Sequence, residues 1–239
     1  MTERKARTEG PGERRPLIHG LYAFPLSGPE IEAGSFAIID REAPPHSFLP
    51  EEWQVVRRMV HTAGEFGLLQ DIRFFPKAIS SAVAALRAGR PIFVDSNMIR
   101  SGLSLARLRA VCAGYGPERL ICHVADEDVA EEARQSRLPR SLFAVRKAKP
   151  FLDGAIAVFG NAPVALLELN RMILEENVRP ALVVAMPVGF LHVVESKQEL
   201  MSLNVPYIAV EGRRGGSPLA VSVIHALCSL ADSQTSRIA

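Results

Sequence analysis

Cysteine is scarce in this chain: Cys112, Cys122 and Cys228 are the whole supply, odd in number and without a C-x-x-C spacing. That argues against a disulfide framework or a zinc knuckle and fits a reducing cytoplasm, where a free thiol serves as a small core residue. Long apolar runs are missing too. Nothing approaches the roughly 18 uninterrupted apolar residues of a membrane span, and the N-terminus carries charges where a signal peptide needs its apolar segment. Net charge is only +2, so neither nucleic acid nor an anionic membrane is expected as principal partner. Several short motifs are also absent. There is no G-x-G-x-x-G, no G-x-x-x-x-G-K-[ST], no H-E-x-x-H and no G-x-S-x-G, which removes the common nucleotide, zinc-protease and serine-hydrolase signatures.

What remains is an ordinary globular composition, 48% hydrophobic and 23% charged over 239 residues, enough to bury a full core as one domain. Residues 1–16 mix both charge signs with Gly and Pro and read as a disordered basic tail, leaving 17–239 as the domain. The stretch from Pro50 to Gly64 is the most informative. At about 100° per residue, Trp53, Val55, Val56, Met59, Val60 and Ala63 share one arc, and His61 falls outside it with Gln54 and Arg57. Its imidazole is therefore expected to face a cleft or solvent. Pro50 and two glutamates suit a first turn, and Gly64 suits a left-handed stop. A lone exposed histidine is more often plain surface than a proton-transfer group, but histidine is the side-chain type suited to proton transfer near neutrality, which makes this one the candidate acid/base.

Upstream, Pro29 opens a helical pattern that places Ser35 mid-helix, its hydroxyl free either to bond back to the helix or to face a ligand. Downstream, short apolar runs alternate with amphipathic helices. Ile72–Phe75, Pro91–Asp95, Arg119–Val124, Ala155–Phe159, Ala181–Met186 and Tyr207–Val210 read as strands, and Leu103–Ala113 as a single helix. His123 interrupts the third run and reads as a satisfied interior histidine. The repeat implies an α/β fold, a three-layer doubly wound parallel sheet of five or six strands. Ligands of such sheets bind beyond the carboxyl ends of the strands. Here those ends are D-S-N from Asp95, G-N-A-P from Gly160, P-V-G-F from Pro187 and G-R-R-G-G-S-P from Gly212. The last combines glycines, guanidiniums and a helix start and suits a carboxylate or phosphate, or else is a tight turn with solvated arginines. Gly160–Pro163 offers another helix N-terminus, or only a corner. Lys197 can pair on the surface or reach an anionic ligand, and Arg140 places a guanidinium near a helix start.

Seven of these pieces in order resemble the precorrin-8X (cobalt-precorrin-8) methylmutase family over roughly residues 30 to 230: S-F-A-I-I from Ser35, R-R-M-V-H-T-A-G ending at Gly64, D-S-N-M-I-R-S-G, F-G-N-A-P-V-A-L, M-P-V-G-F, V-E-S-K and G-R-R-G-G-S. The resemblance implies a flavodoxin-like fold, a homodimer, no cofactor, and a methyl shift from C-11 to C-12 of a corrin precursor. By the same resemblance His61 matches the catalytic proton donor and acceptor, and Arg58, Arg140 and Arg213 match positions that clamp the macrocycle's carboxylates. Ser35 matches a substrate-contacting serine; Asn161, Ser196 and Lys197 follow by loop position. The substrate is then precorrin-8X or cobalt-precorrin-8, with no metal held by the protein. A tetrapyrrole-binding carrier that performs no chemistry is the alternative.

Overall fold

The apolar runs from Ile72 onward pair into a single sheet, as seen in the computed structural model, which describes residues 16–235. The expected disordered tail falls almost entirely outside those residues. In chain order the strands are β1 (Ile72–Phe74), β2 (Ile92–Val94), β3 (Leu120–Ile121), β4 (Ile156–Phe159), β5 (Leu182–Ala185) and β6 (Tyr207–Val210). They lie side by side as β1-β6-β5-β4-β2-β3. Strands β2 to β6 are parallel and follow the flavodoxin-type order, which reverses between β2 and β4. The edge departs from a wholly parallel sheet: β1 runs antiparallel to β6, Ile72 opposite Val210.

Eleven helices are described: α1 (Ile18–Ala23), α2 (Gly28–Glu42), α3 (Pro50–Ala63), α4 (Ala78–Arg87), α5 (Asn97–Gly102), α6 (Leu105–Val111), α7 (Glu127–Ser136), α8 (Arg140–Ala148), α9 (Pro163–Glu175), α10 (Val193–Ser202) and α11 (Ser217–Thr235). Side chains alternate across a strand, so the central strands feed two cores. Ile156, Val158, Leu182 and Val184 pack with α3, α4 and α11 on one face. Ala157, Phe159, Val183 and Ala185 pack with α8, α9 and α10 on the other. Every residue of β2, β4 and β5 is buried, as expected for parallel strands covered on both sides. Truncating one, such as Ile156→Ala, should cost about 2–5 kcal/mol.

Two local readings change. The helix expected over Leu103–Ala113 is α6 alone, preceded by a separate α5, because Ser96 and Ser104 each cap a start: their hydroxyls accept from Ile99 N–H and Arg107 N–H, both at 3.3 Å. The strand expected over Arg119–Val124 shrinks to two residues between a 3₁₀ turn at Pro117–Arg119 and a turn closed by Asp126 N–H on the His123 carbonyl. His123 lies past the strand, with Nδ1 on Asp126 at 2.8 Å and Nε2 without a partner; it is half-satisfied.

Candidate active site

Helix α3 delivers His61 to its rim because both helix ends are fixed. Pro50 takes the first helical position, and the Glu52 carboxylate accepts the Leu49 N–H at 2.9 Å, using a donor that the helix leaves unpaired. At the other end Gly64 turns left-handed at φ 69°, its N–H donating to the Val60 carbonyl, a conformation that costs glycine little. Val55, Val56, Met59 and Val60 are buried, which leaves His61 exposed. Ala63, expected on the buried arc, is exposed as well, since the last turn runs out beyond the core.

The His61 imidazole meets the Phe36 ring edge-on, centroids 5.4 Å apart. It lines a groove of about 280 Å³ with Ser35, Ile38, Gly64, Glu65 and Phe66. Ser35 borders this groove while its hydroxyl donates back to the Ile31 carbonyl at 2.8 Å, the bond open to a mid-helix serine. Across Glu65 lies a second cavity of about 330 Å³, lined by Thr62, Ala63, Val188, Arg214, Gly215 and Pro218. The end of α3 thus adjoins the loops beyond β5 and β6, on the side of the sheet where this fold binds ligands.

Those loops are tied tightly to one another. Gly216 N–H donates to the Met186 carbonyl at 2.7 Å, and Gly189 N–H to that of Arg213 at 3.3 Å. A Cβ on Gly215 would stand 2.2 Å from the Met186 carbonyl oxygen, so only glycine allows this approach. Lys197 is fully buried. Its ammonium neither pairs on the surface nor points to solvent; it donates to the carbonyls of Gly212 at 3.0 Å and Arg214 at 2.7 Å. Burial pulls its pKa down to about 8. Ser196, also buried, donates to the Val193 carbonyl. Arg213 is exposed, its guanidinium 5.1 Å above the Phe190 ring, and Phe190 and Leu191 are both 79% exposed. Arg214 lies between Glu65 and Asp71 at 3.7 and 3.6 Å.

At the reversal between β2 and β4 the expected anion corner is already filled. The buried Asp95 carboxylate accepts N–H bonds from Gly160 at 3.2 Å, Asn161 at 2.9 Å and Ala162 at 2.7 Å, occupying the start of α9. Burial pushes this carboxyl up, and the three donors pull it back. Arg58 is engaged too: it forks onto Glu32 at 2.8 and 3.1 Å, and that bond holds the Glu32 carboxyl below its ordinary range. Arg140 stands exposed at the first position of α8 and, among the described residues, shares no hydrogen bond or ion pair with the other candidates. The structure therefore gathers Ser35 and His61 at one groove, and joins Lys197 to the Arg213 loop. Glu32, Phe36 and Glu65 were missed, and Asp95 was read only as the start of a ligand-binding strand end. For Glu32 and Phe36 a signal existed, since with Asp40 they recur one turn apart on a single stripe of α2.

Comparison with known proteins decides what this arrangement belongs to. A family model described as precorrin-8X methylmutase matches residues 30–230. The chain belongs to the precorrin-8X methylmutase family. It is 42% identical over 219 residues to the cobalt-precorrin-8 methylmutase of Leptospira interrogans, covering 88% of this chain and 97% of that one. It is 36% identical to the precorrin-8X methylmutase of Pseudomonas aeruginosa, covering 84% and 95%. The crystal structure of the precorrin-8x methyl mutase from Thermus thermophilus superposes with a TM-score of 0.80 at 44% identity, over 87% of this chain and 98% of that one. Each residue singled out above lies inside the stretch matched by the methylmutase family, whereas α1 precedes it. Among the described residues, no helix is long and apolar enough to cross a membrane, and no three His, Cys, Asp or Glu side chains are grouped to hold a metal ion.

Proposed function

We propose that this chain moves the methyl group of precorrin-8X, or of cobalt-precorrin-8, from C-11 to C-12, with His61 as proton donor and acceptor. The observation that carries the reading is the position of His61: an exposed imidazole on a groove wall, with Ser35 on the same groove, at the ligand-binding edge of a sheet whose family performs this isomerisation. His61 lends a proton to the macrocycle near the ring C nitrogen and takes it back; meanwhile the C-11 to methyl bond breaks and the C-12 to methyl bond forms. The conjugated ring made electron-poor by that proton shifts its methyl more easily, and no net oxidation occurs. Arg213, Arg140 and Asn161 hold the macrocycle's carboxylates, the first two through charge-assisted hydrogen bonds. Lys197 and Ser196 support the same loops from below.

The relatives' names divide between the metal-free and the cobalt-bearing substrate, so both are assayed. Absorbance spectra of precorrin-8X and of cobalt-precorrin-8 are followed with wild type and with His61→Asn, and product binding to each is titrated. Conversion by the wild type, with the variant binding product but slowed about 10²- to 10⁴-fold, supports the assignment. A wild type that binds both pigments and converts neither is the carrier. A variant that converts at the wild-type rate refutes His61 as the acid/base. We further propose a homodimer working in the cytoplasm. Supporting it, α1 buries none of its residues, and Leu17, Tyr22, Phe24 and Leu26 stand more than half exposed, more contiguous apolar surface than a lone chain favours. Sedimentation at micromolar concentration reads the mass directly.

A further inference from the structure

Two carboxylates two turns apart on α2, Glu32 and Asp40, stand on either side of Phe36, and each grips a different arginine of α3. Asp40 accepts from Arg57 Nη1 at 2.6 Å and from Trp53 Nε1 at 2.8 Å. Glu32 takes the fork of Arg58, whose side chain is only 12% exposed, and Arg107 of α6 approaches the same carboxylate at 3.7 Å. The two guanidiniums so held lie 4.5 Å and 5.1 Å from the Phe36 ring centroid. A ring held by two fixed cations has few ways to turn, because cation–π attraction falls off when the face tilts away. The same ring meets the His61 imidazole in a T-shaped contact.

We propose that Glu32 and Asp40 are positioning residues for His61: acting through Arg58, Arg57 and Phe36, they lock the register of α2 on α3 and so fix the angle at which the imidazole enters the groove. The proposal rests on His61 being the proton-transfer group. It also explains why Arg58, expected to clamp a substrate carboxylate, spends both ends of its fork on a carboxylate of the protein itself: the fork is a strut here. Locking matters because proton transfer tolerates little misplacement, and a shift of about an ångström can cost about 10²-fold in rate. On its own α2 is weakly held, since Ile39 is its single buried residue. Phe36 is half-buried against the main core, and the polar pairs add to that packing in deciding where Ser35 and Phe36 sit relative to His61.

The test uses the full chain with Glu32→Gln, Asp40→Asn and the double variant, alongside Phe36→Leu, which keeps apolar bulk but removes the ring. The readouts are kcat against product Kd, and the chemical shift of the His61 Cε1 proton, assigned by its disappearance in His61→Asn. In the wild type the Phe36 ring current displaces that resonance. The expected result is a resonance moved toward the ordinary imidazole position in the double variant and in Phe36→Leu, with kcat down about tenfold and product Kd within about twofold. A resonance that stays put, a moved resonance with wild-type kcat, or kcat and product binding lost in parallel would each overturn the proposal. If the double variant does not fold, Phe36→Leu decides by the same readouts. Failure of the underlying acid/base assignment looks different: His61→Asn then keeps its turnover, whatever the resonance does in the others.

Discussion

Lys197→Met removes a buried ammonium and keeps the bulk of its side chain, and its effect can be worked out. The wild-type ammonium bonds two carbonyls of the loop that carries Arg213, and hydrogen bonds from a charged donor are worth about 1.5–3 kcal/mol each. Against that stands the cost of keeping the ammonium out of water. The drop in pKa from 10.5 to about 8 corresponds to about 3 kcal/mol at pH 7. At neutral pH the two nearly offset one another, so the variant should lose only about 0–3 kcal/mol. The pH dependence is more telling than the net loss. Between pH 8 and 10.5 the unfolded wild type holds a proton that the folded form has released, so folding stability gained from Lys197 rises with pH across that window. From pH 7 to pH 9 the advantage of wild type over the variant should widen by about 1.4 kcal/mol. Urea unfolding of both proteins at the two pH values measures it. A difference that is flat with pH, or narrows, would refute the idea that the ammonium is held desolvated under the loop.

One other substitution and one titration test the packing of the fold. Gly215→Ala places a methyl group where the Met186 and Pro187 carbonyl oxygens already stand, at 2.2 and 2.6 Å; the loops must part, and thermal melting should fall by the equivalent of about 2–4 kcal/mol together with loss of product binding. An unchanged melt would mean that the loops are not in close contact. His225 accepts the Ser104 N–H at 3.0 Å, and burial draws its pKa down to about 4. Its NMR resonances should therefore stay flat from pH 8 to 5, while stability declines below about pH 6.5 as the unfolded chain alone takes up the proton; titration near neutrality would contradict the buried acceptor role.

Local periodicity made much of the fold legible. The buried arc of α3, its proline start and its glycine stop are dictated within one helix, and the apolar runs of β4 and β5 are too short and too continuous to be anything but covered strands. The antiparallel placing of β1 was not legible, because nothing within Ile72–Phe74 says which neighbour it will meet more than a hundred residues later. The same limit applies to the charges. An arginine at position 58 reads as a cation available to a ligand; only the packing of α2 across α3 reveals that Glu32 has claimed it. Lys197 reads from its charge as a surface partner or a contact for an anionic ligand, and the cost of burying it becomes visible only when two carbonyls are found at its tip. His61 was legible as an outlier from the apolar arc; Phe36 was legible as a member of the α2 stripe, but its contact with His61 was not, since it joins two helices.

The carboxylate of Asp95, seated where α9 begins, also says something about what this fold has given up. Doubly wound sheets often hand that corner to the phosphate of a nucleotide. Here the three amide hydrogens that would greet such a guest are spoken for by a side chain of the same protein. The corner thus acts as a built-in decoy. An architecture otherwise well suited to a phosphate has closed this corner from within, with its own carboxylate in the phosphate's place.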